Sequence, residues 1–339
     1  MADEAAQINR ARIRYGRFER ELACLGAAGG ATRAGMTDIF MLMRRMLAAM
    51  MLPAMLCAGL IACSAATEAP APPAHVALWT ISDASGVRGW LFGTVHALPP
   101  ETRWLRAAID QALSAADRLV FEIGEPLDSK IAGEALGRLA FTDGLPAPSA
   151  RISADAARAL SAVYKELSLS DEGFKNQESW AVALQIAAVA AQKQGIDPES
   201  GVEPKLRAMA GAKPISGLET IDSQFGIFDA LPGAAQQVLL GQVALEAADK
   251  HNDERDVMEL WLRGDDLGIA RESRTGFLAD PQLHQALLTG RNQAWAAQID
   301  AMLKSGVRPF IAVGAAHVAG SDGLQAMLAA RGWKIARVQ

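Results

Sequence analysis

Four short apolar runs in this chain stop on a side chain that can bind a metal or move a proton. "GWLFGTVH" (89–96) ends in His96, "RLVFE" in Glu122, "PISGLE" in Glu219 and "FIAVGAAH" in His317. Runs of this length, bounded by turn residues, are strand candidates, and the segments between them carry helical spacing. That alternation confines the chain to an α/β fold bordering on α+β, a mixed sheet with flanking helices. In open α/β sheets, ligands gather beyond the carboxyl ends of the strands. If the four strands are parallel, their terminal side chains converge on one edge.

The order of segments gives the sheet its expected frame. "ALWTIS" and "GWLFGTVH" form a hairpin through the turn-rich "DASGVR". "TRWLRAAIDQALSAADR" follows with Trp104, Leu105, Ala108, Ile109, Ala112 and Leu113 on one helical side. From about 127 to 210 helical segments dominate, a helical insertion. In it "NQESWAVALQIAAVAAQKQG" places Asn176 at the N-cap and Gly195 at the end, apolar on nearly all sides as a buried helix is. "KPISGLE" restores strand character. Two long helical stretches, "RPFIAVGAAH", a helix over "GLQAMLAARG" and the strand "WKIARVQ" complete the chain.

Ahead of the fold lies an export signal. Arg44 and Arg45 precede an apolar stretch from Met46 to Ala62, which ends at Cys63. These are the n- and h-regions of a secretory leader, and at about 17 residues with Pro and Gly inside it is marginal for spanning a bilayer. "LIAC" resembles a bacterial lipobox, so Cys63 is the expected lipidation site. The expected product is an exported lipoprotein, periplasmic or on the outer membrane of a Gram-negative bacterium. Residues 41–63 are then the signal, 1–40 a non-native extension from a mis-assigned start, and 64–75 an Ala/Pro-rich linker to a domain over 76–339.

Composition removes several classes of function. The three cysteines are Cys24, Cys57 and Cys63, so cleavage at Cys63 leaves no thiol nucleophile and no intrachain disulfide. The formal net charge is −5 with charges mixed along the chain, and no Lys/Arg cluster among aromatics, which excludes nucleic acid as the main partner. Zincin His-Glu-x-x-His, Gly-x-Ser-x-Gly, P-loop and Gly-x-Gly-x-x-Gly motifs are all absent.

The histidines share a grammar. His96 and His317 each follow a glycine by three residues, where the backbone can turn sharply or approach a ligand. Two imidazoles with carboxylates suit Mn, Fe, Co or Zn, and such an ion lowers the pKa of bound water and polarises a carbonyl. Each residue alone has a plainer explanation. A strand-end histidine packs, Glu122 pairs with an arginine, Glu219 caps a turn, and Glu203 complements a helix dipole. Arg291, in "GRNQAW", opens a helix, where a cation is misplaced electrostatically and so suggests anion or carbonyl binding, with a salt bridge as the plainer default. His251 is expected on a helix surface, and His284 on a helix surface or at a boundary.

Taken in order, "LWTISD…GWLFGTVHALP", "LVFEI", "GLETIDSQFGIFDALP", "RNQAW" and "FIAVGAAHVAGSDGLQAMLAARGWKI" resemble the TraB/GumN family, which includes the Tiki proteins. The resemblance covers 76–339. It implies a fold related to haem-binding and erythromycin-esterase-like proteins, and a metal-dependent hydrolase of the Tiki type, a peptidase using Mn or Co. It assigns His96, His317 and Glu122 as metal ligands. Glu122 or Glu219 is then the general base, and Arg291 the stabiliser of the oxyanion. The implied substrate is a peptide or another carbonyl compound. The alternative is a non-catalytic lipoprotein that binds a peptide, haem or a metal.

Overall fold

The computed structural model describes residues 74–95, 98, 102–125, 129–193, 201–249 and 255–338. The leader, Cys63 and most of the linker lie outside these residues, as do His96 and His251. No helix among the described residues is long and apolar enough to cross a membrane.

Six strands build one mixed sheet: β1 (Leu78–Asp83), β2 (Gly86–Thr94), β3 (Arg118–Ile123), β4 (Ile215–Glu219), β5 (Pro309–Gly314) and β6 (Lys334–Arg337). Their order across the sheet is β4-β3-β5-β2-β1-β6. β1 is antiparallel to both β2 and β6, whereas β4, β3, β5 and β2 pair in parallel. The four strands that stop at or shortly before the ionisable residues are therefore contiguous and share one carboxyl edge. The chain has the α/β architecture that its segment order predicts.

Period-two alternation sends each strand's apolar side chains to two cores. On one face Phe92, Leu119, Phe121 and Phe310 pack under α1 (Ala107–Ala115), α5 (Val202–Met209) and α8 (Arg255–Arg263), with Trp104 and Trp261. On the other face Leu91, Val120, Ile311 and Val313 pack under α11 (Gly290–Lys304) and α13 (Leu324–Ala330), with Trp295 and Trp333. Both faces are covered, as a mainly parallel sheet requires. The same alternation puts Glu122, two residues past Val120, on the face under α11.

A second core is wholly helical. Leu160 and Val163 of α3 (Ala154–Leu167), Trp180 and Ile186 of α4 (Ser179–Lys193), and Leu239 and Leu240 of α7 (Gly233–Ala248) meet Leu283 and Leu287. The stretch from 127 to 210 is therefore not a packing unit by itself. Its last helix, α5, buries Val202 and Leu206 against the sheet, while α7 and residues 283–287 complete the helical core. The remaining helices are α2 (Ser129–Leu139), α6 (Ile221–Asp229), α9 (Asp266–Glu272), α10 (Pro281–His284) and α12 (Ala315–Val318).

Three local expectations change. α1 begins at Ala107 because Arg106 is extended, so Trp104 reaches the core from the preceding loop and Leu105 is exposed. Asn176 is not an N-cap. It adopts the left-handed conformation at φ 62, and its Oδ1 accepts from the Gly144 N–H. Arg291 does not open a helix either. Asp280 caps α10 with its side chain, Pro281 takes the first position, and a π-turn at Gln285–Thr289 joins α10 to α11 without a break in helical backbone.

Candidate functional site

Glu122, Glu219, Arg291 and His317 meet at the carboxyl edge of the parallel strands. β3 delivers Glu122 and β4 ends on Glu219. Gly124 and Gly217 sit so close across these strands that a Cβ on either would collide with the other's backbone. Arg207 of α5 fixes the end of β3 by donating to the carbonyls of Ile123, Gly124 and Glu125 at 2.7, 2.8 and 3.2 Å. His317 stands in the single turn of α12, directly after β5. His96, the fourth residue expected here, lies outside the described residues.

Arg291 is the hub. Its Nε and Nη2 donate to the two oxygens of Glu219 at 3.0 and 2.9 Å, a bidentate pair. Nη2 also donates to Glu122 Oε2 at 3.0 Å, and Nη1 to the Leu287 carbonyl and His317 Nε2, both at 3.2 Å. A guanidinium has five N–H groups, and each of these five has an acceptor. Arg291, Glu122 and Glu219 side chains are no more than 10% exposed. Burial alone would lower the Arg291 pKa, but hydrogen bonds to Glu219 and the charges of both glutamates outweigh it and raise it.

The carboxylates differ in what surrounds them. Both Glu219 oxygens are held, by Arg291 and by the Trp295 Nε1–H at 2.9 Å. Glu122 Oε1 takes the Gly314 N–H at 2.7 Å and stands 3.9 Å from His317 Nε2. The imidazole of His317 is 7% exposed and packs 4.4 Å from the Trp295 ring.

Several contributors carried no signal at a strand end. Asn292 accepts from His317 Nδ1 at 2.7 Å through Oδ1 and donates through Nδ2 to the Asp322 carbonyl at 2.8 Å. His284, expected on a helix surface or at a boundary, is the last residue of α10; it is half-buried and donates to Asp322 Oδ2 at 2.7 Å. The available signal was "RNQAW" itself, since Asn292 and Trp295 are three apart and share a helix face.

Glu122 and His317 offer an oxygen and an imidazole nitrogen, a donor set of the kind that suits Mn, Fe, Co or Zn. A catalytic site usually has three protein ligands, and among the described residues no group of three His, Cys, Asp or Glu side chains is placed to hold an ion. The donors fit in kind and make up part of such a set. As an oxyanion donor, Arg291 would have to release one of its five present acceptors.

A sequence model of the TraB/PrgY/gumN family matches residues 77–337. The chain is 26% identical over 243 residues to the uncharacterized protein YbaP of Escherichia coli (strain K12), across 70% of this chain and 86% of that protein. YbaP of Shigella flexneri matches at the same identity and coverage. No solved structure matches the chain. With the family model spanning nearly all of the described fold, the chain belongs to the TraB/PrgY/gumN family.

Proposed function

We propose that the chain is a metal-dependent hydrolase of the Tiki type that cleaves a peptide or another carbonyl compound at the carboxyl edge of its sheet. The observation that carries this reading is the pairing of His317 Nε2 with Glu122 Oε1 at 3.9 Å, buried beside a saturated guanidinium. Glu122 and His317 would hold the ion, with His96 as the further ligand that the resemblance implies. A divalent ion, Mn or Co by that resemblance and otherwise Zn or Fe, supplies an acidified water and a polarised carbonyl.

The chain's own residues do the rest. Glu122 or Glu219 takes the proton of the attacking water; both oxygens of each accept hydrogen bonds, from Gly314 and Arg291 on Glu122 and from Arg291 and Trp295 on Glu219. Glu219 positions Arg291, whose charge offsets the two carboxylates and stays next to His317. As negative charge develops on the substrate, the Nη1–H now on His317 is the donor nearest the imidazole and can turn to it. The leader-like stretch ending at Cys63 supports export to the periplasm or the cell surface on a lipid anchor.

The test is metal content of protein purified without chelator together with hydrolysis of a peptide library, wild type beside the His96→Ala/His317→Ala double variant. The reading predicts a bound divalent ion and cleavage products that both vanish in the variant. Unchanged metal content and unchanged cleavage would overturn it. Stoichiometric uptake of peptide, haem or metal with no product would establish the binding lipoprotein instead. Cys63→Ala should release the protein from the membrane fraction if Cys63 is the anchor.

A further inference from the structure

We propose that Asn292 is a positioning residue that locks His317 in one neutral tautomer, with the proton on Nδ1 and Nε2 as the acceptor. The role in the reaction rests on the hydrolase reading above; the lock itself rests on hydrogen bonds alone.

The assignment can be made from both sides of the ring. Asn292 is fully buried, and one end of its amide faces the Asp322 carbonyl at 2.8 Å. A carbonyl only accepts, so that end is the NH2 group and the other end is the oxygen. The oxygen faces His317 Nδ1 at 2.7 Å, which makes Nδ1 the donor. On the far side, Arg291 Nη1 stands 3.2 Å from Nε2, and a guanidinium only donates. Nε2 is therefore the acceptor. Both sides give the same neutral tautomer, and flipping the Asn292 amide would set oxygen against oxygen at one end.

The anchor of this lock is fixed in turn. Asp322 lies in the loop between α12 and α13, where Gly320 has φ +85 and accepts from the Gly323 N–H at 3.2 Å. The Asp322 carboxylate accepts from His284 at 2.7 Å, Arg274 at 2.9 Å and Thr289 at 3.5 Å. His284 and Thr289 are five residues apart, which on a regular α-helix at 100° per residue would turn them about 140° from each other. The π-turn between them brings both to Asp322, and π-turns are frequent at functional sites. An asparagine buried inside a helix is a poor choice by propensity. Here its two bonds join the imidazole to a fixed carbonyl, much as partners behind a ligating histidine set its tautomer.

The test uses full-length protein with 15N-labelled histidine, the His317 signals being those lost in His317→Gln. The wild type should show a protonated Nδ1 and an unprotonated Nε2. Asn292→Ala should shift His317 part of the way toward Nε2–H, the Arg291 donor opposing a full exchange, and lower turnover about 10–100-fold. If Asn292→Ala does not fold, the wild-type pattern decides. A wild-type Nε2–H, or a folded Asn292→Ala with an unchanged pattern, would each overturn the proposal. The spectra need neither metal nor substrate. An inactive wild type with the Nδ1–H pattern supports the lock and defeats only the hydrolase reading, whereas an active one with Nε2–H defeats only the lock.

Discussion

The two ends of the parallel sheet each carry an arginine on a carboxylate, and they differ in almost everything else. At the amino edge Arg308 donates to Asp117 at 2.9 Å, both side chains being 44% exposed. Lys213 beside them caps the end of α1 by donating to the Ser114 and Ala116 carbonyls at 2.9 and 2.7 Å. At the carboxyl edge Arg291 holds two glutamates and a histidine out of water. An exposed pair is screened and gains little, whereas a buried one must be satisfied at every atom or it destabilises the fold. Five acceptors on one guanidinium, an imidazole among them, meet that requirement in full. The contrast teaches that burial and completeness, and not the presence of an ion pair, separate the two edges.

Substitutions can break that contrast, beginning with the largest expected effect. Arg291→Ala leaves two buried carboxylates without their cation and should cost about 3–5 kcal/mol in urea unfolding. Trp295→Phe keeps a ring against His317 but removes a donor to Glu219, an expected loss of about 1.5–3 kcal/mol in the same measurement. Gly290→Ala sets a Cβ 2.8 Å from the Gln285 carbonyl oxygen inside the π-turn, so about 1–3 kcal/mol is expected, together with reduced activity.

Asp322 adds a pH dependence. Burial would raise its carboxyl, but hydrogen bonds from His284 and its own backbone, with the Arg274 charge, outweigh that and hold it below the ordinary carboxylate value. A lowered folded-state value stabilises above the unfolded value and is lost as pH falls through the folded one. Asp322→Asn should therefore cost stability near pH 7 and cost progressively less below about pH 4, read as the difference between two denaturation curves. Arg308→Ala should change least of all, and salt should erase its effect where it leaves that of Arg291→Ala.

Much of this was legible in the sequence because strand ends leave a local signature. "RLVFE", "PISGLE" and "FIAVGAAH" announce both a strand and the side chain at or just past its end, and parallel pairing then brings those ends together. Arg291 was found with the wrong cause. Gly290 interrupts the helical pattern, and Asp280-Pro281, a strong start signal ten residues earlier, belongs to the same run of helical backbone. Asn292 left only its place in "RNQAW" and Asp322 no trace, since a buried asparagine in a helix and a backbone carbonyl in a loop acquire meaning only through packing. Which helices share a core was hidden for a related reason. Apolar helices such as α4 and α7 show that they are buried but not which partner buries them.

The most direct test of the claim that the carboxyl edge is the working edge compares Glu122→Gln with Asp117→Asn on the peptide library. Both remove one negative charge from a carboxylate that binds an arginine, one at each end of the same strand or just before it. The account predicts a loss of at least about 100-fold for Glu122→Gln, with the protein still folded, and wild-type rates for Asp117→Asn. Equal rates in the two variants, or wild-type cleavage by Glu122→Gln, would contradict it.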